Sequence, residues 1–301
     1  MEERVGMSET SENRIEKYKK KSQTREIWKR LKKNKVALAG LIILSILTLL
    51  AVFADVISDY ELLAVGQNLT ERLQPPSSSH WFGTDEYGRD VFARIIHGSR
   101  VSLSIGLGAV SIALLVGGIF GAMAAYYGGL IDNFLMRLMD TIMAIPPILL
   151  TLAIVAALGP GMINLLIAMT IASFPGFARI IRSSILPVMG QEFIEAAKAC
   201  GSRDSRIIIK HILPNAIGPI IVQGTMAISS MILAAASLSF IGMGIQPPRP
   251  EWGAMLAGAR DYMVTSPYLI IFPGVAIVMA ALSFNLLGDG LRDALDPRLK
   301  Q

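Results

Sequence analysis

Six stretches of the chain, residues 36–54, 101–127, 141–158, 162–178, 212–248 and 262–288, contain no Asp, Glu, Lys or Arg. Each is long enough to cross about 30 Å of hydrocarbon at about 1.5 Å per helical residue. The runs are continuous rather than alternating, which predicts helices that close their backbone hydrogen bonds within one segment, not strands of a barrel. The expected fold is an all-α membrane protein with six transmembrane helices, the fifth run being long enough to include flanking loop.

Two polar regions interrupt this pattern. Residues 191–215, reading QEFIEAAKACGSRDSRIIIKHILPN, form a helix-patterned polar island between the fourth and fifth runs. Its spacing predicts two short helices: 192–200, stopped by Gly201, and 203–212, stopped by Pro214, with Ser202 placed to cap the second. Gly201 enters the left-handed region at little cost, and Pro214 has no amide hydrogen to continue a helix. Residues 55–100 form the longest polar connection. Within it Val91, Phe92, Ile95 and Ile96 recur at helical spacing opposite Arg89, Asp90, Arg94 and His97, predicting an amphipathic helix along the membrane surface. That helix reads equally as a contact for a partner protein or as a lid on the edge of the bundle.

Smaller signals fill in the organisation. Ile27, Trp28 and Leu31 make an apolar face among Lys and Arg, predicting a short interfacial helix after a polar segment, 1–26, expected to be disordered or loosely helical. Gly159-Pro160-Gly161 predicts a tight turn that makes the third and fourth crossings antiparallel neighbours. Ser102, Gly106, Gly117 and Gly121 are spaced for close helix approach, read as packing within the chain in preference to a dimer motif. Pro146, Pro147, Pro175, Pro219 and Pro273 fall in or beside the runs as expected kinks.

Composition agrees with this pattern. With 52% hydrophobic and 17% charged residues and a mean hydropathy of +0.52, an ordinary soluble domain is excluded. With a cytoplasmic N-terminus, all but Arg72, Arg89, Arg94, Arg100, Arg249 and Arg260 of the 28 basic residues fall on the cytoplasmic side. Both termini and the 191–215 loop are then cytoplasmic. The asymmetry accounts for the net charge of +5 and leaves no reason to invoke nucleic acid. The basic tail reads as an uncleaved topology anchor that can also hold lipid headgroups.

The crossings offer little chemistry. Asp140, at the border of the third run, is the nearest approach to an intramembrane acid and is expected to pair with Arg137. A proton-coupled carrier would be expected to keep an ionisable group near mid-bilayer. No GxxxxGK[ST] phosphate loop is present, so ATP cannot bind by that route. Cys200, the single cysteine, allows no internal disulfide and reads as a small buried side chain. His80, His97 and His211 are too dispersed to predict a zinc site, and no nucleophile has an evident base. Glu195 and Lys198 are spaced for a weak surface pair. The driving force for any transport must be borrowed.

Glu195, Ala196, Ala197, Gly201, Leu213 and Pro214 stand at the spacing of the EAA loop, and here the chain resembles the permeases of bacterial ABC importers. The general pattern of that family has Ile two residues before Leu-Pro, where this chain has His211. The resulting HILPN is similar to the peptide and nickel branch. HWFGTDEYGRDVFARIIHGSRVSL, residues 80–103, and DGLRDALDPRL, residues 289–299, resemble the same branch.

The resemblance implies a type I permease bundle in a bacterial plasma membrane, carrying dipeptides or oligopeptides. A nickel or other small-solute importer shares every motif, and a secondary transporter is the rival of a different class. The implied partners are a second permease, two ABC ATPase subunits and an extracytoplasmic substrate-binding protein, with ATP and Mg held by the ATPases and no cofactor in this chain. Glu195, Ala196, Ala197 and Gly201 would be the ATPase contacts, with Arg203 and Asp204 nearby. The loop, its ends fixed by Gly201 and Pro214, would act as a lever. The expected divisions are a basic tail (1–35), first helix (36–56), extracytoplasmic loop (57–100), core of five helices (101–288) and cytoplasmic tail (289–301).

Overall fold

A computed structural model describes residues 23–295. The segment expected to be disordered falls almost wholly outside the described residues, as does the end of the 289–299 motif. Ten helices organise the rest: α1 (Gln23–Lys33), α2 (Lys35–Val52), α3 (Val91–Tyr127), α4 (Gly129–Met143), α5 (Pro147–Leu158), α6 (Met162–Met189), α7 (Glu192–Ala199), α8 (Asp204–Phe240), α9 (Trp252–Gly258) and α10 (Tyr268–Leu295).

Helices α2, α3, α6, α8 and α10 are long and apolar enough to cross a membrane. Helices α4 and α5, bent by 79° at the break between them, pass the same test only as a pair, giving a sixth crossing where the pair is one span. The third run is therefore broken rather than straight. Pro147 opens α5, and Pro146 before it has ψ 130, away from the helical region that a following proline disfavours.

The centre of the bundle is α3 packed along α6. Small residues permit the approach: a Cβ on Gly117 would lie 2.7 Å from the Phe174 carbonyl oxygen, and one on Gly121 would collide with that of Ala178. Gly106 makes room for Ile232 of α8. The glycines thus pack against helices of this chain. Around the pair, α8 lies against α3 and α10, α10 against α2, and α5 returns along α6 after the Gly159-Pro160-Gly161 turn.

At the end where the described chain begins and finishes, Leu31 of α1 is buried, whereas Trp28 is exposed beneath Lys32. Asn34 caps α2 through Val36 and Ala37 and donates to Asp293 at 3.2 Å.

The opposite end differs from the sequence expectation. The amphipathic surface helix is the first turns of α3, continuous with the second crossing, and its polar face is buried. Loops 53–90 and 241–251 fold over that face. Arg94 donates to the Ala64 carbonyl at 2.8 Å and that of Pro248 at 3.3 Å, and His97 Nε2 donates to that of Ser58 at 2.9 Å. Trp252, fully buried, donates to the Ile95 carbonyl. Arg100 caps the C-terminus of α2 by donating to the Ala51 and Val52 carbonyls and pairs with Asp55 at 2.8 Å. The polar residues of this face thus bond within the chain, under a lid formed by these loops.

Asp85 lies at the centre of the lid, accepting from Arg89 Nε at 2.7 Å and lying 3.4 Å from Arg94 Nε. A cavity of about 190 Å³ opens beside it, lined by Glu86, Arg89, Gln246, Arg249 and Gly258 among others. Burial raises the Glu86 pKa above its ordinary 4.5, and neighbouring Asp85 adds to this, while a backbone hydrogen bond and the two arginines act the other way. A carboxyl that keeps its proton more readily when folded withdraws stability as pH rises through its raised pKa, and withdraws none below about 4.5. Glu86→Gln is therefore expected to flatten the fall in thermal midpoint between about pH 4 and pH 8, measured on the purified protein.

Candidate coupling site

Residues 191–215 leave the bundle at the end shared with α1. Helix α7 buries Ile194 in the core formed by Phe177, Ile181, Ile185, Ile207 and Ile212, and Ala197 packs partly against the same core. The other side chains of α7 are exposed. Glu195 and Ala196 are exposed and Ala197 is partly so, and exposed Phe193 and Ile209 add apolar surface. These last two were missed in the sequence, because each stands beside an isoleucine, Ile194 or Ile208, and only the fold decides which of the neighbours packs inward.

The helix ends on a Schellman turn. Gly201, at φ +73, donates to the Lys198 carbonyl at 2.9 Å, and Ser202 donates to that of Ala197 at 3.2 Å. The interval from Ala197 to Gly201 is the spacing this turn requires, which gives the Ala-Ala-xxx-Gly part of the motif a local physical cause. Ser202 is therefore used through its backbone rather than as a cap. Arg203 takes the N-cap position of the next helix, with no side-chain hydrogen bond.

Pro214 does not end that helix. Asp204–Phe240 runs continuously through a π-helical segment, Ile207–Ile212, in which Leu213 donates to the Ile208 carbonyl. Pro214 cannot serve the Lys210 carbonyl, and the wider turn accommodates it at the start of the α-helical part. Asn215 Nδ2 donates to the His211 carbonyl at 2.7 Å, so the Asn of HILPN has a structural role. Leu213 is partly buried, while Arg203, Asp204 and Pro214 are exposed.

Tyr126, at the end of α3, joins the two arms of the loop. Its hydroxyl donates to Asp204 at 2.7 Å, and Lys198 Nζ lies 5.3 Å from its ring centroid. Lys198 is thus directed to the ring rather than to Glu195. Tyr126→Phe is expected to cost about 1 kcal/mol locally and to speed hydrogen exchange of residues 192–206 about fivefold.

Two further expectations change here. Asp140 pairs with Arg179 of α6, not with Arg137 on its own helix, and Cys200 is exposed. Arg182 grips Asp132 in a bidentate pair at 2.6 and 2.5 Å, so both ion pairs fasten α4 to α6. A neighbouring helix offers each arginine a facing carboxylate that no sequence interval reveals.

Residues 113–301 match the family described as the binding-protein-dependent transport system inner membrane component. The chain belongs to that family. Residues 22–76 of this permease also match the N-terminal transmembrane domain of oligopeptide transport permease C. It is 48% identical over 279 residues to the dipeptide transport system permease protein DppC of Alkalihalophilus pseudofirmus, covering 93% of this chain and 91% of the relative. Its identity to the glutathione transport system permease protein GsiD of Pectobacterium atrosepticum is 45% over 277 residues, covering 92% and 91%.

Among solved structures, a chain of the MetNI methionine ABC transporter in inward-facing conformations gives a TM-score of 0.56 at 18% identity, over 68% of this chain and 97% of that one. An amino acid ABC transporter crystallised with histidines gives 0.53 at 20% identity, over 67% and 94%. At these identities the likeness is one of fold, that of type I ABC importer permeases. This permease is a multi-pass protein of the bacterial inner membrane.

Proposed function

We propose that this permease imports dipeptides or oligopeptides, driven by ATP that partner subunits bind and hydrolyse. One observation carries the coupling mechanism: α7 presents Glu195 and Ala196 outward with Ala197 at the edge of the exposed face, while its ends run directly into α6 and α8. A docked ATPase pair would grip Glu195, Ala196, Ala197 and Gly201, with Arg203 and Asp204 beside them, and movement of the pair would tilt α7. Because α8 continues without a break from Asp204 to Phe240, tilt at one end would become displacement across the membrane. The lever is thus α7 with α8, and Leu213 and Pro214 lie inside it instead of marking its end.

The orientation proposed is both termini and the 191–215 loop in the cytoplasm, as the distribution of Lys and Arg favours. The partners proposed are a second permease, two ABC ATPases holding ATP and Mg, and an extracytoplasmic binding protein that delivers the solute. This chain contributes no catalysis of its own. The names of the dipeptide and glutathione relatives support peptides over nickel as cargo.

The test is uptake of a radiolabelled dipeptide by cells expressing the assembled transporter. Uptake is expected to collapse on ATP depletion and to survive a protonophore. The reverse pattern would establish a secondary transporter. ATP-dependent nickel uptake without peptide uptake would replace the cargo.

A further inference from the structure

The charge-free runs contain five carboxamide side chains, Asn164, Asn215, Gln223, Gln246 and Asn285. Asn164, Asn215 and Gln246 donate to nearby backbone carbonyls at helix ends or in loops, and Asn285 is half-buried. Gln223 is exposed and makes no side-chain hydrogen bond among the described residues. It lies about 15 Å along α8 from Leu213 and about 26 Å from Phe240 at 1.5 Å per residue, well inside the crossing. An unpaired carboxamide costs several kcal/mol in hydrocarbon, whereas in water it costs nothing.

Two further positions on this face, among apolar neighbours, fit the same reading. Ser230, two turns further on, is exposed and likewise lacks a hydrogen bond among the described residues. Pro219, one turn earlier, has no N–H for the Asn215 carbonyl. Exposed hydroxyls on α2, at Ser45 and Thr48, donate to the carbonyl four residues back and so tolerate lipid. The buried face of α8, carrying Val222, Gly224, Ser229 and Ile232, is turned toward the bundle.

We propose that the Gln223–Ser230 face of α8 lines the water-filled passage through which the solute moves. The inference rests on the transporter reading and adds to it the helix and the residues that meet the cargo. A peptide presents N–H and C=O groups in alternation, and the Gln223 carboxamide can accept from one and donate to the other. The exposed polar face has this use whatever the peptide's side chains.

The test is cysteine labelling of the complete transporter in native membranes with a permanently charged methanethiosulfonate supplied to both sides. Modification is read residue by residue by mass spectrometry. The reagent attacks thiolate, which forms only where water solvates it. Gln223→Cys and Ser230→Cys are therefore expected to react at least about tenfold faster than Ile46→Cys on the exposed apolar face of α2. Two variants on one face guard against failure of either to assemble. Labelling of both as slow as Ile46→Cys would overturn the inference and leave the face to lipid or to a partner helix. Wild-type dipeptide uptake, measured in parallel, tests the cargo separately, since labelling does not depend on which solute is carried.

Discussion

Asp85→Ala is expected to destabilise the lid by about 3–5 kcal/mol, the cost of leaving buried charge without its partner. Arg89 and Arg94 are each only 4% exposed, and both guanidinium groups approach the same carboxylate. Its other oxygen accepts from the backbone N–H groups of Tyr87 and Arg89 at 2.9 and 3.0 Å, so the substitution also opens the turn that aims the arginines. The thermal midpoint of the purified protein, followed by tryptophan fluorescence with Trp252 buried in the same region, is expected to fall on the order of 10 °C. Asp85→Asn keeps an acceptor for the turn but not the charge and should fall between the two. An unchanged midpoint in Asp85→Ala would mean that Arg94 is held by the Ala64 and Pro248 carbonyls, and Arg89 by Glu86, without the Asp85 carboxylate.

Gly201→Val is expected to lower transport with little loss of protein. A Cβ at Gly201 would meet nothing within 4 Å, so the penalty comes from the backbone, which sits at φ +73. A β-branched residue there costs about 2 kcal/mol or more, enough to reduce the population of the docking-competent turn by at least about tenfold. Dipeptide uptake should fall by a similar factor, with ATP hydrolysis by the assembly no longer matched to uptake. Gly201→Asn, which tolerates the left-handed region, should recover most of the loss. Wild-type uptake by the valine variant at equal membrane abundance would remove the turn from the mechanism.

Local chemistry made parts of this permease legible. The left-handed turn at Gly201 and the break at Pro146-Pro147 follow from backbone restrictions on single residues, and both occur where the sequence placed a turn or a kink. Pro214 was read by the same rule and misread. A proline stops an isolated helix, but packing of Ile207 and Ile212 against the core holds the segment helical, and a π-turn absorbs the missing donor. The polar side of residues 89–97 was misread for a related reason. Periodicity tells which residues share a face, and here the loops that cover the face come from residues 53–66 and 245–251, far away in sequence.

What the sequence determined by itself was the class of solvent and the apolar helical runs that can cross it, because the cost of exposing backbone or charge to hydrocarbon is paid residue by residue along a run. The turn that ends α7 at Gly201 was determined in the same local way. Only the tertiary structure decided which charges are partners, as with Arg179 and Asp140, and which polar faces are covered or left open, as at Arg94 and Gln223. Pairing and burial depend on what another segment brings within a few ångströms, and that distance is set by the packing of helices remote from one another in the chain.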